Sequence, residues 1–348
     1  MNHRQVSRRD LVGAGVVASG ALAAAPRGKT GSKDGLKVGL YSITYLGVWY
    51  RGEPLTLEQV LDRAKEYGYQ GVEIDGKRPH GNPLDMPRSR CLQLHKKAEQ
   101  KGLEIYAVSA NNDFSSPIAE HRQCQLLYLR ELIRMTADLG AKALRVFLAW
   151  PGVTKHPQIG RYDIARRIWQ ETHKDFSEEE IWDWCRQGLI ESARCAGDHG
   201  VTLALQNHGP VIKDHQDVLR MVREVGSPHL KVCLDAPIMP KKDPVSVRQA
   251  ALDTGSLQVL SHFGGDYEGR NTDGSVKGQD FYLPFVRAMI EIGYRGYLGY
   301  ELCHPLPVVN GQTVGIDYAD TSARLAAEFM RGVIAQAVKE TPPGRPAG

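Results

Sequence analysis

From residue 36 to residue 338 the chain alternates short apolar runs with longer amphipathic ones, eight times over. The short runs, read as strands, fall at 37–41, 71–75, 103–109, 143–147, 201–206, 231–235, 257–262 and 296–301. Helical patterns follow at 56–67, 88–101, 122–139, 178–199, 216–225, 244–254, 280–292 and 318–338. A helix after each strand returns the chain to start the next strand beside the last, so the sheet is parallel, and eight such units close it into a barrel. Glycine stands just past five of the helices, at Gly68, Gly102, Gly140, Gly200 and Gly293, where a left-handed residue ends a helix. The alternative is an open doubly wound sheet. It concentrates its site at one switch point, and no GxGxxG follows the first strand. The fold class is therefore α/β, a single (β/α)8 TIM barrel over residues 36–338.

Several function classes are disfavoured early. The 348 residues suit one barrel with decorated loops, and a net charge of +4 without a long basic block argues against a nucleic-acid partner. The segment Ser7-Arg8-Arg9-Asp10-Leu11-Val12 opens an apolar, small-residue run that ends at Ala25. Twin arginines directly before such a run favour a twin-arginine export signal over residues 1–25, with cleavage near Ala21-Leu22-Ala23, over an amphipathic or buried N-terminal helix. The expected destination is the periplasm or the exterior. The run is too short to serve as a stable membrane anchor. Residues 26–35 read as a flexible lead-in and 339–348 as a disordered tail. The six cysteines show no CxxC or zinc-ribbon spacing and read as buried free thiols. Two long excursions, 149–174 and 264–279, follow strands four and seven and should overhang the catalytic face.

Four strand ends carry metal-binding side chains: Gln206, Asp235, His262 and Glu301, at intervals of 29, 27 and 39 residues. Polar ends on consecutive barrel strands converge at one mouth. Oxygen and imidazole donors in that mixture suit one divalent ion, Mn²⁺ first, with Mg²⁺, Co²⁺ or Zn²⁺ as alternatives. Singly, each has an ordinary reading as a cap, a turn former or a core histidine. Other residues share the mouth. Glu73 has the inward parity of strand two and reads as a substrate contact or a structural ion pair. Arg145 sits mid-strand and must be paired, either within the protein or by a substrate hydroxyl or anion. Asn111 and Asn112 suit sugar hydroxyls or a turn, and Trp150 suits stacking on a sugar ring. His208, one step past a strand end, is the candidate second acid/base. His121 and His229 read as solvated.

These motifs resemble the sugar phosphate isomerase/epimerase family, also called the xylose isomerase-like barrel superfamily, over roughly residues 36–335. In that family strands five to eight typically end in Glu-Asn-His, Asp, His and Glu. This chain has Gln206-Asn207-His208, Asp235, His262 and Glu301, with family-like contexts at Gly71-Val72-Glu73-Ile74 and Gly296-Tyr297-Leu298-Gly299-Tyr300-Glu301. The resemblance implies a metal-dependent enzyme for a small sugar, with homo-oligomers common. The departure is Gln206 in place of the usual Glu. An amide oxygen binds a hard metal but cannot act as a base, which disfavours epimerisation by two opposed glutamates. The expectation is a one-base reaction through a metal-stabilised enediolate with Glu301 as base, on a neutral or oxidised sugar, since no phosphate cradle is present. A 3-keto-glycoside lyase or hydrolase and a non-catalytic sugar-binding member are the alternatives. The apurinic endonucleases of the superfamily are opposed by the near-neutral charge and the export signal.

Overall fold

The computed structural model describes residues 35–155, 159–267 and 280–341. The proposed signal and nearly all of the lead-in lie outside these residues, as do most of the second excursion and residues 342–348. Eight strands form the barrel: β1 Lys37–Tyr41, β2 Gly71–Asp75, β3 Glu104–Ser109, β4 Ala143–Val146, β5 Thr202–Gln206, β6 Leu230–Cys233, β7 Gln258–Gly264 and β8 Tyr297–Glu301. All neighbours are parallel, and β8 closes on β1. The helices are α1 Leu57–Glu66, α2 Arg88–Gln100, α3 Ala119–Asp138, α4 Asp163–His173, α5 Glu178–Asp198, α6 His215–Val225, α7 Pro244–Thr254, α8 Tyr282–Glu291 and α9 Ile316–Glu340.

Local chemistry sets the helix starts. Thr56 and Gln59 form a reciprocal capping box at α1, as do Ser177 and Glu180 at α5. Asp214 and Asp243 cap α6 and α7 with their carboxylates. The five joint glycines all have positive φ, between 65° and 76°.

Strand parity then sorts the side chains. Val72, Ile74, Leu144, Val146, Leu203, Leu205, Val232 and Leu298 join the main core under the helices. The opposite parity fills the barrel. Its lower half is a separate buried cluster of Tyr106, Ala107, Ala143, Ala204, Cys233, Leu260 and Tyr297. The Tyr106 and Tyr297 rings stack with centroids 4.0 Å apart. A Cβ on Gly39 would lie 2.4 Å from the Tyr106 ring, and one on Gly299 2.6 Å from its hydroxyl, so the plug needs glycine at both places.

The structure departs from the sequence reading at several ends. Excursion 149–174 is not irregular: it holds a small hairpin, Thr154–Lys155 with Gly160–Arg161, and the whole of α4. Strand β6 stops two residues before Asp235, because its register against β7 shifts at Val232/Cys233 and the chain turns into a 3-10 segment at Ala236–Ile238. Helix α9 reaches Glu340, two residues beyond the expected end. All six cysteines are free; Cys91, Cys185 and Cys233 are buried, Cys195 and Cys303 half-buried, and Cys124 exposed. No helix among the described residues is long and apolar enough to cross a membrane.

Candidate active site

The upper half of the barrel replaces the apolar plug with charge. His262, at the inward-facing centre of β7, is fully buried between two carboxylates. Its Nε2 lies 2.8 Å from Glu73 Oε2 and its Nδ1 3.0 Å from Asp235 Oδ2. Burial opposes a charge on this ring, but Glu73 and Asp235 outweigh it and hold its pKa well above the ordinary histidine value. Burial likewise pushes Asp235 up, and His262 and Gln206 more than reverse this, leaving it below the usual carboxylate range. Asp235 Oδ1 also accepts the His262 backbone N–H at 2.6 Å, and Asn207 Oδ1 accepts the Asp235 N–H at 2.8 Å. The other Glu73 oxygen accepts the Ser109 hydroxyl.

A polar chain continues across the barrel. The Gln206 amide nitrogen donates to Asp235 Oδ2, and its Oε1 lies 3.4 Å from an Arg145 amino group. Arg145 donates to the Tyr41 hydroxyl at 2.9 Å, which donates to Asp75 at 2.6 Å. Asp75 also accepts from Asn111 at 3.1 Å. Arg145 is 4% exposed, and its guanidinium is 3.8 Å from Glu301 Oε2. Burial works against its charge, but the neighbouring Tyr41, Glu73 and Glu301 keep it a cation. Glu301 is pushed above the usual carboxylate range by burial, against the pull of His262 and Arg145.

Above this chain opens a cavity of about 840 Å³, whose wall includes Asn111, Arg145, Trp150, Gln206, His208 and Glu301. That lies within the usual range for ligand pockets, about 300–1,000 Å³. Trp150 stacks on Phe147, with centroids 5.1 Å apart, and meets the His208 ring edge-on at 5.1 Å. His208 Nδ1 lies 2.6 Å from the Gly209 carbonyl. Burial, reinforced by the Arg145 and Arg166 charges, pushes its pKa down to about 4. A carbonyl only accepts, so Nδ1 carries the proton and the neutral ring keeps its lone pair on Nε2. Helix α4 closes one side of the cavity and is tied down by Trp169 Nε1 donating to Ser115 Oγ at 2.9 Å. Tyr162 adds a bond from its hydroxyl to the Cys303 carbonyl at 2.6 Å.

The residues fit a divalent ion. Adjacent ligands on an octahedral ion with bonds of about 2.1 Å lie about 3.0 Å apart, which is the Asp235–His262 separation. Glu73 on the other ring nitrogen supplies the carboxylate that metal-bound histidines usually find. Gln206 would have to turn its amide to present Oε1, since an amide nitrogen is not a ligand.

The structure therefore brings Gln206, Asp235 and His262 into one buried cluster, with Glu301 beside it on the cavity wall. Trp150, Arg145, Asn111 and His208 also line the cavity. Glu73 does not: its carboxylate is fully buried on His262 and Ser109. Asn112 is engaged with the Phe147 backbone at 2.8 and 3.0 Å. The sequence reading missed Cys233, whose Sγ is 3.4 Å from Asp235 Oδ1 and 3.6 Å from His262 Nδ1. It also missed Tyr41. Both carry a readable signal, since each is two residues from an inward-facing position on the same strand line.

A closed parallel barrel with its charge gathered at the C-terminal mouth defines a barrel-enzyme scaffold. The chain belongs to the xylose isomerase-like TIM barrel family, whose model matches residues 61–332. No curated protein matches it in sequence. Among solved structures it is similar to a D-psicose 3-epimerase from Clostridium cellulolyticum H10 (18% identity, TM-score 0.63, covering 86% of this chain and 99% of that one). It is also similar to an L-ribulose 3-epimerase (19%, 0.61, 88% and 96%) and to a 3-keto-D-glucoside 4-epimerase from E. coli (18%, 0.60, 84% and 99%). At these identities the likeness is one of fold.

Proposed function

We propose that the protein is a divalent-metal-dependent enzyme of the sugar isomerase/epimerase kind, acting on a small sugar or keto-sugar. The sugar epimerases among its structural neighbours support the substrate class. The observation that carries the reading is the placement of Glu301: a carboxylate on the cavity wall, beside the Asp235–His262 pair. Gln206, Asp235, His262 and Glu301 would hold the ion, with manganese the first expectation. When bound, it supplies Lewis acidity toward a carbonyl and its neighbouring hydroxyl.

Glu301, whose carboxylate lines the cavity, removes the proton from the carbon next to the carbonyl. Return of that proton to the neighbouring carbon on the same face interconverts an aldose and a ketose. Gln206 has no basic atom to match Glu301, so a second proton transfer falls to His208 through Nε2. Arg145 keeps Glu301 oriented and shares its charge. Loss of a β-substituent after proton removal would make the enzyme a lyase, the reading favoured if its substrate is a 3-keto-glycoside.

The test combines metal analysis with solvent exchange. Wild type should hold about one divalent ion per chain and wash deuterium from D₂O into the carbon beside the carbonyl of a keto-sugar; Glu301→Gln should lose the exchange. Wild type that binds no metal and exchanges no proton in ketohexoses, aldoses or 3-keto-glycosides would overturn the proposal and leave a sugar-binding role. The N-terminal Arg8-Arg9 motif supports export to the periplasm. Cell fractionation of an Arg8→Lys, Arg9→Lys double variant should find the protein retained inside.

A further inference from the structure

Among the described residues, the cavity's charges do not balance: its wall holds three cations, Arg145, Arg166 and Lys242, and one carboxylate, Glu301. Arg145 is matched by Glu301 at 3.8 Å. The other two side chains have no ion pair or hydrogen bond among the described residues. The contrast around the start of α4 is instructive. Arg161 and Arg167 both reach Asp163, at 2.7 and 4.0 Å. Arg166 instead lies over the Tyr162 ring, its guanidinium carbon 5.8 Å from the centroid, on the cavity side of the helix. Lys242 comes from a different element, the loop between β6 and α7, and lines the same space. Two cations from separate elements facing one cavity raise the local concentration of anions and complement a negative group on a ligand.

We propose that the cavity takes an anionic sugar derivative, a keto-sugar whose carboxylate or phosphate lies toward Arg166 and Lys242 while its carbonyl end reaches Glu301. This rests on the reading of the site as a sugar isomerase/epimerase centre and adds the substrate class. Size is compatible with it: a cavity of about 840 Å³ has room for a sugar carrying an acidic group.

The experiment uses a matched pair, D-fructose and D-fructuronate, titrated into the full metal-loaded protein and followed by calorimetry. D-fructose 6-phosphate forms a third arm. Wild type should bind the carboxylate about tenfold or more tightly than the neutral sugar, a charge-assisted contact being of that order, and the preference should shrink with added salt. The fructuronate-to-fructose affinity ratio should fall about tenfold in Arg166→Ala and in Lys242→Ala, and Arg166→Lys should recover part of it. A stronger preference for the phosphate identifies phosphate as the anion. Equal affinity for all three ligands in wild type, or a ratio unmoved in both alanine variants, overturns the proposal. Proton exchange in the same samples separates the two readings: exchange without anion preference removes only this one, whereas anion preference without exchange removes the isomerase/epimerase reading.

Discussion

The two halves of the barrel interior solve the same packing problem with opposite chemistry. The lower half fills its space with Tyr106, Tyr297, Leu260 and small residues, and the two rings stack. The upper half fills it with Glu73, Asp235, His262, Arg145 and Gln206, each buried and each tied to a neighbour. Burying that many charges is costly unless every one is paired. The lower layer supplies stability that the upper layer, built for its charges, does not. The contrast teaches that the charged side chains of the interior are confined to one layer, and on the proposed function changes in the two layers should separate cleanly in experiment.

The sharpest test is Glu301→Gln, which keeps shape and removes the proposed base. It should lower kcat about 10³-fold, roughly 4 kcal/mol, while the melting temperature stays near wild type; kinetics beside calorimetry decide it. Leu260→Ala should do the reverse, costing about 3 kcal/mol by opening a cavity in the plug and leaving KM alone. Denaturant unfolding with steady-state rates checks this, and a large KM change would break the separation of the layers.

Glu73→Gln probes the boundary. Removing the carboxylate that orients His262 should weaken divalent-ion affinity about 10–100-fold, measured by competition with a chelating dye. Unchanged affinity would make Glu73 a packing residue only.

The smallest effect lies outside the barrel. Glu58 on α1 is bonded to Arg90 at 2.6 and 2.8 Å and to Lys97 at 2.8 Å, and the Arg90 contact leads in lowering its pKa to about 2. A carboxylate with a depressed folded pKa stabilises above its unfolded value and loses that contribution as pH falls through the folded one. Glu58→Gln should therefore cost about 1 kcal/mol at pH 7, allowing for solvent screening, and progressively less as pH falls towards the folded pKa of about 2, below which the cost disappears. Paired melts across that range decide it.

Much of this was legible in the chain. Hydrophobic periodicity located all eight strands, because barrel strands packed under helices leave little freedom in where apolar residues fall. The strand-end polar residues were legible for the same reason. What could not be read was partnership. Parity placed Glu73 inside the barrel, but only the closed register shows that it meets His262, 189 positions away. Asp235 read as a strand residue because its apolar neighbours continue the pattern, whereas the register shift at Val232/Cys233 ends the ladder early. Helix α4 was hidden by its length: the apolar positions Ile164, Ala165, Ile168 and Trp169 span barely two turns inside a segment rich in turn formers.

The stacked Tyr106–Tyr297 plug makes the barrel a blind alley. A molecule that enters by the mouth must leave by it, and a second cannot reach the floor until the first has gone. Product and substrate therefore contend for one passage, so product inhibition should be competitive, and the rate of departure can cap turnover however fast the chemistry beneath it runs.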